Sequence, residues 1–486
     1  MTDMMTLCQV KGWLDEARLV ANDATANAVT IRRVHTDTRT VEPGDLFVAL
    51  RGERFDANEF LAEANARGAV AALCQGDGDA ALRAAGLPGL VVTDAKAALG
   101  QLAAAWRAQF TLPLIAVTGS NGKTTLTQMI AAILAAYKPQ KFLATQGNFN
   151  NDIGVPLTLL RLRATHELAV IELGMNHPGE IAALAAMAQP TVALVNNAQR
   201  EHLEFMATVE AVAQENGAVI DALSATGHAV FPSDEVYTPV WLAKAGRRPM
   251  LSFGAAPSAS VHTLQAQWEA GAWQVTTATP VGVIRYTLHI AGLHNVKNSL
   301  AAVACALSAG VSVAAIEQGL SQFEPVKGRS RAVVLSNGAR ELTLIDDTYN
   351  ANPDSVAAAI EVLAALPGPR LLVLGDMGEV GAQGPQFHAE AGHLAQQRGI
   401  ETLFTLGDLS RAAAASFGPA ARHFESMEAL QAAVTAELPL LTSVLVKGSR
   451  FMKMERVVAT LTDHLSPQKE MGPMANPPKP GVPACC

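Results

Sequence analysis

The stretch "IAVTGSNGKTTLTQMIAAIL", Ile115 to Leu134, holds the residue types that bind a nucleotide phosphate. An apolar strand runs into a turn bounded by Gly119 and Gly122, followed by Lys123, Thr124, Thr125 and a helix. The usual phosphate loop reads Gly, four residues, Gly-Lys-Ser/Thr. Here only Ser120 and Asn121 separate the glycines, and Val117 stands where the first Gly would fall. Downstream, Leu126, Met129, Ile130, Ile133, Leu134 and Tyr137 recur on one helical face. The turn therefore delivers backbone N–H groups to a helix N-terminus, where dipole and unpaired donors favour an anion. Lys123 can reach the β- and γ-phosphates, and the Thr124 or Thr125 hydroxyl can touch Mg²⁺. The stretch reads as a nucleotide site.

A chain of 486 residues exceeds one core and suggests about three domains. Residues 1–110 carry short strands ("LFVAL", "AVAALC", "GLVVT") among Ala-rich helices. Residues 111–321 alternate strand and helix through "LPLIAVT", "LAVIEL" and "TVALVNN". Residues 322–465 repeat the alternation with "LTLID", "RLLVLGD", "ETLFTLGD" and "SVLVKGS". Such alternation predicts an α/β fold with parallel sheets. "EPVKGRSR" marks the seam between the last two regions, and the Pro-rich tail 466–486 is expected to be disordered. Hydrophobic content of 49% excludes a disordered chain, and no apolar run reaches the roughly 18 residues of a membrane span. The N-terminus lacks the layout of a signal peptide. Cys8, Cys74, Cys305, Cys485 and Cys486 show neither metal nor disulfide spacing, so reduced thiols in the cytoplasm are expected. A net charge of −8 without a basic run argues against nucleic acid. Parallel strands gather ligands at their carboxyl ends. Glu172 closes "LAVIEL" and His202 follows "TVALVNN", so both are candidate metal ligands.

The shortened turn resembles the "TGxNGKTT" loop of the Mur ligases, ATP-dependent amide-forming enzymes of peptidoglycan synthesis. The resemblance runs from roughly residue 30 to 460. It is carried by "DTRTVEPGDLFVALRGERFDANEF", "GNFNNDIGVPLTLL", "ELGMNHPGEI", "GLHNVKNSLAA", "DDTYNANPDS", "LGDMGEVG" and "LVKGSRFMKME". Those longer motifs look most like the branch that adds D-alanyl-D-alanine to UDP-N-acetylmuramoyl-tripeptide. The resemblance implies a UDP-sugar domain, a central ATP-binding domain and a Rossmann-like C-terminal domain, acting as a monomer with ATP and Mg²⁺. It implies catalysis through an acyl phosphate, with Lys123, Glu172, His202 and Arg329 in catalytic roles. Thr124 and Glu172 would hold the Mg²⁺ of ATP, and His202 a second ion. The nucleotide would also meet Gly119, Ser120, Asn121, Gly122 and Thr125, with His294, Asn295 and Asn298 near adenine and Asp347 near ribose. Taken by itself, Asn295 is also suited to ordinary N-capping. Arg329 is a candidate phosphate clamp. Asp37, Thr38, Arg39 and the turn from Gly52 to Asp56 would meet the UDP-sugar, with Asn151, Tyr349 and Asn350 as further substrate contacts. The family commonly reads Asp-Gly-His where this chain has Asp56-Ala57-Asn58.

Sister ligases adding diaminopimelate, lysine or folate polyglutamate are the nearest alternatives, followed by a kinase and a nucleotide-dependent regulator. The Asp-Asn-Pro-Arg motif typical of diaminopimelate addition is absent. A second departure follows the His202 segment. Most Mur ligases carry a helix there reading like "VAxAKGE", whose Lys takes up CO₂ and becomes a metal-positioning carbamate. Here "VEAVAQENGAVI" puts Asn216 at that place. An amide cannot form a carbamate. Val209, Val212, Ala213 and Asn216 share one helical face, so Asn216 is expected to point inward as a neutral group. Glu215 could instead supply the missing charge, although it sits about 100° away around the helix.

Overall fold

"LPLIAVT" and "LAVIEL" are apolar at almost every position, as strands buried on both faces must be. The computed structural model, which describes residues 3–21, 23–52, 55–269, 271–336 and 341–465, places them side by side in a nine-stranded sheet. Leu114–Thr118 lies between Val192–Val195 and Leu168–Glu172, with Phe142–Ala144 at the near edge. These pairings are parallel, and register sets Glu172 level with Val117 and Val195 level with Thr118. The flanking strands thus end on either side of the Gly119–Gly122 turn. One face of the three strands (Leu114, Ala116, Ala169, Ile171, Ala193, Val195) enters one core. The other (Ile115, Val117, Val170, Leu194) enters a second core with helices Lys123–Tyr137 and Leu293–Ser308.

Helix Lys123–Tyr137 differs from the single apolar face expected of it. Thr124, Thr125, Thr127 and Ala131 are buried as well, and no residue of the helix is fully exposed. It is enclosed by the sheet and by helices Leu293–Ser308 and Val313–Ser321. The alternation expected for residues 111–321 also breaks. Val261–Glu269, Ala272–Thr279 and Gly282–Leu288 form an antiparallel meander that extends the sheet beyond Met250–Gly254. Its second turn is a two-residue hairpin, Pro280-Val281, between Thr279 and Gly282. A hairpin is the short connection that antiparallel strands allow and parallel ones do not.

The N-terminal sheet orders Arg18–Val20, Gly89–Val92, Ala71–Gln75, Asp45–Val48 and Arg33–His35, parallel except for the first pair. It shares a continuous core with the central sheet through helix Ala95–Arg107, whose Leu99, Leu102 and Trp106 join Leu46, Leu73 and Leu90 to Leu114 and Ile171. Packing accordingly divides the chain into two units: Met1–Val326 with Glu379–Ala382, and Lys327–Gly378 with Gln383 onward. The division falls inside "EPVKGRSR". In the second unit Arg331–Ser336 pairs antiparallel with Glu341–Asp347. Parallel strands Ser443–Lys447, Arg370–Gly375, Thr402–Leu406 and Ala421–Phe424 follow. The tail expected to be disordered, with Cys485 and Cys486, lies outside the described residues, as do Glu53 and Arg54 of the Gly52–Asp56 turn. Among the described residues no helix is long and apolar enough to cross a membrane.

Candidate functional site

Gly119 (φ 132°) and Gly122 (φ 81°) hold conformations that favour glycine, and both are closely approached. A Cβ on Gly119 would meet Asn196 Cβ at 2.9 Å, and one on Gly122 would meet the Asn298 amide at 2.8 Å. The loop's first donors are already engaged. Gly119 N–H donates to Asn216 Oδ1 (2.8 Å), Ser120 N–H to the Asn197 carbonyl (3.2 Å) and Asn121 N–H to Asn197 Oδ1 (2.9 Å). The helix's own ladder begins with Leu126 N–H to the Gly122 carbonyl. The N–H groups of Gly122, Lys123, Thr124 and Thr125 precede that ladder, so they are the donors a phosphate can use. Of the glycine-turn donors expected to serve an anion, three are spent on holding the turn.

The Lys123 ammonium donates to the carbonyls of Gly119 and Ser120 and to Glu201 Oε1, the last at 2.8 Å. Glu201 escaped the sequence reading, although it precedes His202. Its other oxygen is buried without a partner. His202 Nε2 lies 3.5 Å from Glu201, and its Nδ1 lies 2.6 Å from Glu379, within the segment that packs with the first unit. Burial alone would push the imidazole down, but the two carboxylates outweigh it and hold it up at about 9. His202 is thereby paired with two carboxylates; serving as a metal ligand would require it to give up a proton. It also stands beyond the strand end, on a left-handed backbone (φ 50°) at the N-cap of the short helix Leu203–Met206.

Glu172 is 1% exposed at the end of its strand. Its Oε1 accepts from the Thr124 hydroxyl (3.1 Å) and Asn150 Nδ2 (2.7 Å), while its backbone N–H donates to Thr145 Oγ1 (2.9 Å). Its Oε2 is buried and has no partner. A buried carboxylate oxygen left unpaired beside a hydroxyl is a donor set for a hard cation. Asn151 turns elsewhere: its Oδ1 accepts from Gly154 N–H (2.9 Å) at the start of helix Gly154–Leu159. Among the described residues no group of three His, Cys, Asp or Glu is placed to hold a metal alone.

Asn216, 1% exposed on helix Val209–Asp221, points inward and binds the loop directly. Its Nδ2 is buried without a partner. Glu215 does not replace a carbamate. Its two oxygens accept from Gly179 N–H (2.9 Å) and Ile181 N–H (2.8 Å), capping helix Glu180–Ala188.

Behind the loop, side-chain amides are joined head to tail. Asn196 Nδ2 donates to the Asn121 carbonyl and to Asn298 Oδ1 (both 2.9 Å), Asn298 Nδ2 to Asn295 Oδ1 (3.0 Å), and Asn295 Nδ2 to the Ala291 carbonyl (2.7 Å). Asn295 is not a cap, because Gly292 occupies that position and the helix starts at Leu293. With Asn295 2% and Asn298 5% exposed, both amides brace the loop, and exposed Leu293 offers an apolar surface beside His294. In the N-terminal sheet, Asp37 caps the turn Thr38–Thr40. Hydrogen bonds from Arg39 hold the Asp37 carboxyl down at about 2. Asn58 Nδ2 donates to the Gln75 carbonyl (2.9 Å), and its Oδ1 is buried without a partner.

In the second unit, Asp346 Oδ2 accepts from Gly328 N–H (3.1 Å) and Asp347 Oδ1 from Ser330 N–H (3.0 Å). The paired aspartates thereby fix the peptides on either side of Arg329, whose guanidinium lies 4.0 Å from the centre of the Tyr349 ring. Asp347 Oδ2 forms an ion pair with the buried Lys447 (2.6 Å), which also donates to the Asn350 carbonyl (2.8 Å). Asp347 is thus first a structural partner of Lys447 and Ser330.

Three family descriptions match the chain: Mur ligase family, catalytic domain (residues 30–107), Mur ligase middle domain (117–306), and Mur ligase, glutamate ligase domain (328–450). The UDP-N-acetylmuramoyl-tripeptide–D-alanyl-D-alanine ligase of Escherichia coli K12 is 39% identical over 464 residues, 95% of this chain and 99% of that one. Its Bacillus subtilis counterpart is 34% identical over 89% of this chain and 93% of its own. The crystal structure of MurF from Acinetobacter baumannii superposes with TM-score 0.85 at 34% identity, covering 94% of this chain and 98% of that chain. MurF from Thermotoga maritima in complex with ADP superposes with TM-score 0.77 at 25% identity, covering 91% and 99%.

Proposed function

The chain belongs to the Mur ligase family, and from that premise we propose that it joins D-alanyl-D-alanine to UDP-N-acetylmuramoyl-tripeptide in peptidoglycan precursor synthesis. The γ-phosphoryl group of ATP passes to the tripeptide carboxylate, giving an acyl phosphate and ADP. The dipeptide amine attacks the acyl carbon and loses a proton, and phosphate departs with the electrons of the C–O bond. The single observation that carries this reading is near end-to-end similarity to the D-alanyl-D-alanine-adding ligases.

The N–H groups of Gly122–Thr125 and the Lys123 ammonium would receive the phosphates. Glu172 Oε2 and the Thr124 hydroxyl fit a hard cation and would hold the Mg²⁺ of ATP. Mg²⁺ with one carboxylate, a hydroxyl, waters and phosphate oxygens is a common arrangement, and when bound it would offset negative charge on the transferring group. Asn150 and Thr145 would orient Glu172, while the asparagine chain through Asn196 would keep the loop rigid. His202 with Glu201 and Glu379 would supply polar groups beside Lys123. Residues 1–110 would take the UDP-sugar, 111–321 the ATP, and 322–465 further parts of the substrates, with Arg329 offering a cation to an anionic group. A cytoplasmic setting follows from the substrates, ATP and a nucleotide-linked precursor.

Offered UDP-muramoyl-tripeptide with D-Ala-D-Ala, D-Ala or diaminopimelate, the enzyme is expected to make only the dipeptide adduct, with one phosphate released per amide. Mass analysis of the products checks this, and efficient diaminopimelate addition would overturn the acceptor assignment. A second expectation concerns Asn216, which engages the Gly119 N–H and can form no carbamate. Turnover in CO₂-depleted buffer should not rise when bicarbonate is restored. Stimulation would mean that a lysine elsewhere is carbamylated.

A further inference from the structure

We propose that Arg450 binds the free carboxylate of the acceptor dipeptide, with Tyr349 as its platform; this rests on the acceptor being D-Ala-D-Ala. Strands Glu341–Asp347, Ser443–Lys447 and Arg370–Gly375 are adjacent and parallel. Their carboxyl ends therefore bring Tyr349, Arg450 and Gly378 to one edge of the second unit. Lys447, Arg329 and Arg450 are brought near this edge, and their partners separate them. Lys447 is 3% exposed, with its charge committed to Asp347. Arg329 is held by the peptides that Asp346 and Asp347 fix, and it stacks closely on Tyr349. Arg450 lies 5.9 Å from the centre of the same ring, on the turn Arg450–Met452.

Arg450 is the most exposed of the three. Its side chain is 66% exposed and meets Glu455 through Nη1 alone, at 3.2 Å. Surface pairs of this kind are weak, so the Nε and Nη2 donors can take a carboxylate in the two-point geometry that suits a guanidinium. The next residue supplies the other half of the recognition. Phe451 is 63% exposed, and a Cβ added to Gly378 would lie 3.2 Å from its ring. An apolar ring beside a position without a side chain offers a small hydrophobic wall next to the cation. A short peptide with a free carboxylate and methyl side chains matches both features.

The test uses the full-length enzyme with D-Ala-D-Ala and with its C-terminal amide, which lacks the negative charge. Replacing the dipeptide by its amide should raise KM for the acceptor about 50-fold in the unaltered enzyme, the size of a lost charge-assisted contact. R450Q should raise KM for D-Ala-D-Ala by a similar factor, leave KM for ATP and the nucleotide precursor within about twofold, and cease to distinguish dipeptide from amide. R450K should recover part of the preference. Tyr349→Leu should raise the acceptor KM more than it lowers kcat, and Tyr349→Phe, which keeps the ring, should recover most of that loss. If R450Q still prefers the carboxylate over the amide by the full factor, the assignment is wrong. If the unaltered enzyme turns over a different acceptor and refuses the dipeptide, the acceptor identity fails instead.

Discussion

Lys123→Ala is expected to lower amide formation by about three orders of magnitude or more, with the fold retained. A preorganised cation facing a transferring phosphoryl group acts in a partly desolvated site, where removing one such contact typically loses about 10²–10³ in rate. The structure adds a second loss at the same position. Lys123 also draws the Gly119 and Ser120 carbonyls inward and neutralises Glu201, whose Oε2 has no other partner. Without the ammonium, the buried Glu201 carboxylate would keep only the His202 imidazole, 3.5 Å away and shared with Glu379, as its cationic neighbour, adding repulsion of the incoming phosphates to the lost attraction. Lys123→Arg keeps the charge but not the slender reach, so it should recover little. Phosphate release measured with both substrates, alongside a thermal melt, checks the expectation. Near-normal turnover in the alanine variant would remove the phosphate-loop reading altogether.

Glu172→Gln should produce the next largest effect, a rise of about tenfold or more in the Mg²⁺ needed for half-maximal activity. Hard cations prefer anionic oxygen, and the amide withdraws that charge. The substitution is unusually clean here. Oε1 carries the contacts to Thr124 and Asn150, and a glutamine oxygen can keep them. Oε2 has no protein partner, so an NH₂ group in its place breaks no hydrogen bond. Stability should therefore change little while the metal titration moves. A titration that coincides with that of the unaltered enzyme would show that Glu172 is not a ligand.

The strand, glycine turn and helix from Leu114 to Tyr137 were legible because each depends on neighbours within a few residues. Glycines serve positive φ, Lys and Thr follow at fixed offsets, and an apolar period marks the helix. Glu172 was legible for a related reason, since a polar residue closing an apolar parallel strand stands at the edge where ligands gather. The motif for residues 293–298 located the right helix, and the structure adds that Asn295 stands inside its first turn, bonded to Asn298, rather than at the N-cap that Gly292 occupies. The antiparallel meander after Met250 escaped because its strands, although longer than their neighbours, mix polar with apolar residues and lack a continuous apolar run.

Sequence alone thus determined a glycine turn between strand and helix on an α/β sheet, the order of the motifs and the absence of a lysine at position 216. Only the tertiary structure decided what those residues touch. Asn216 meets Gly119 across 97 residues of chain, Glu201 meets Lys123 across 78, and Lys447 meets Asp347 across 100. The division has a physical origin. Backbone dihedrals and side-chain periodicity are set locally, whereas a buried donor or acceptor is satisfied by whatever polar group the packed elements bring to it. The strand order puts Glu172 and Asn196 on either side of the glycine turn. Helix packing turns Glu215 to the cap of Glu180–Ala188 and Asn216, one residue on, to the loop.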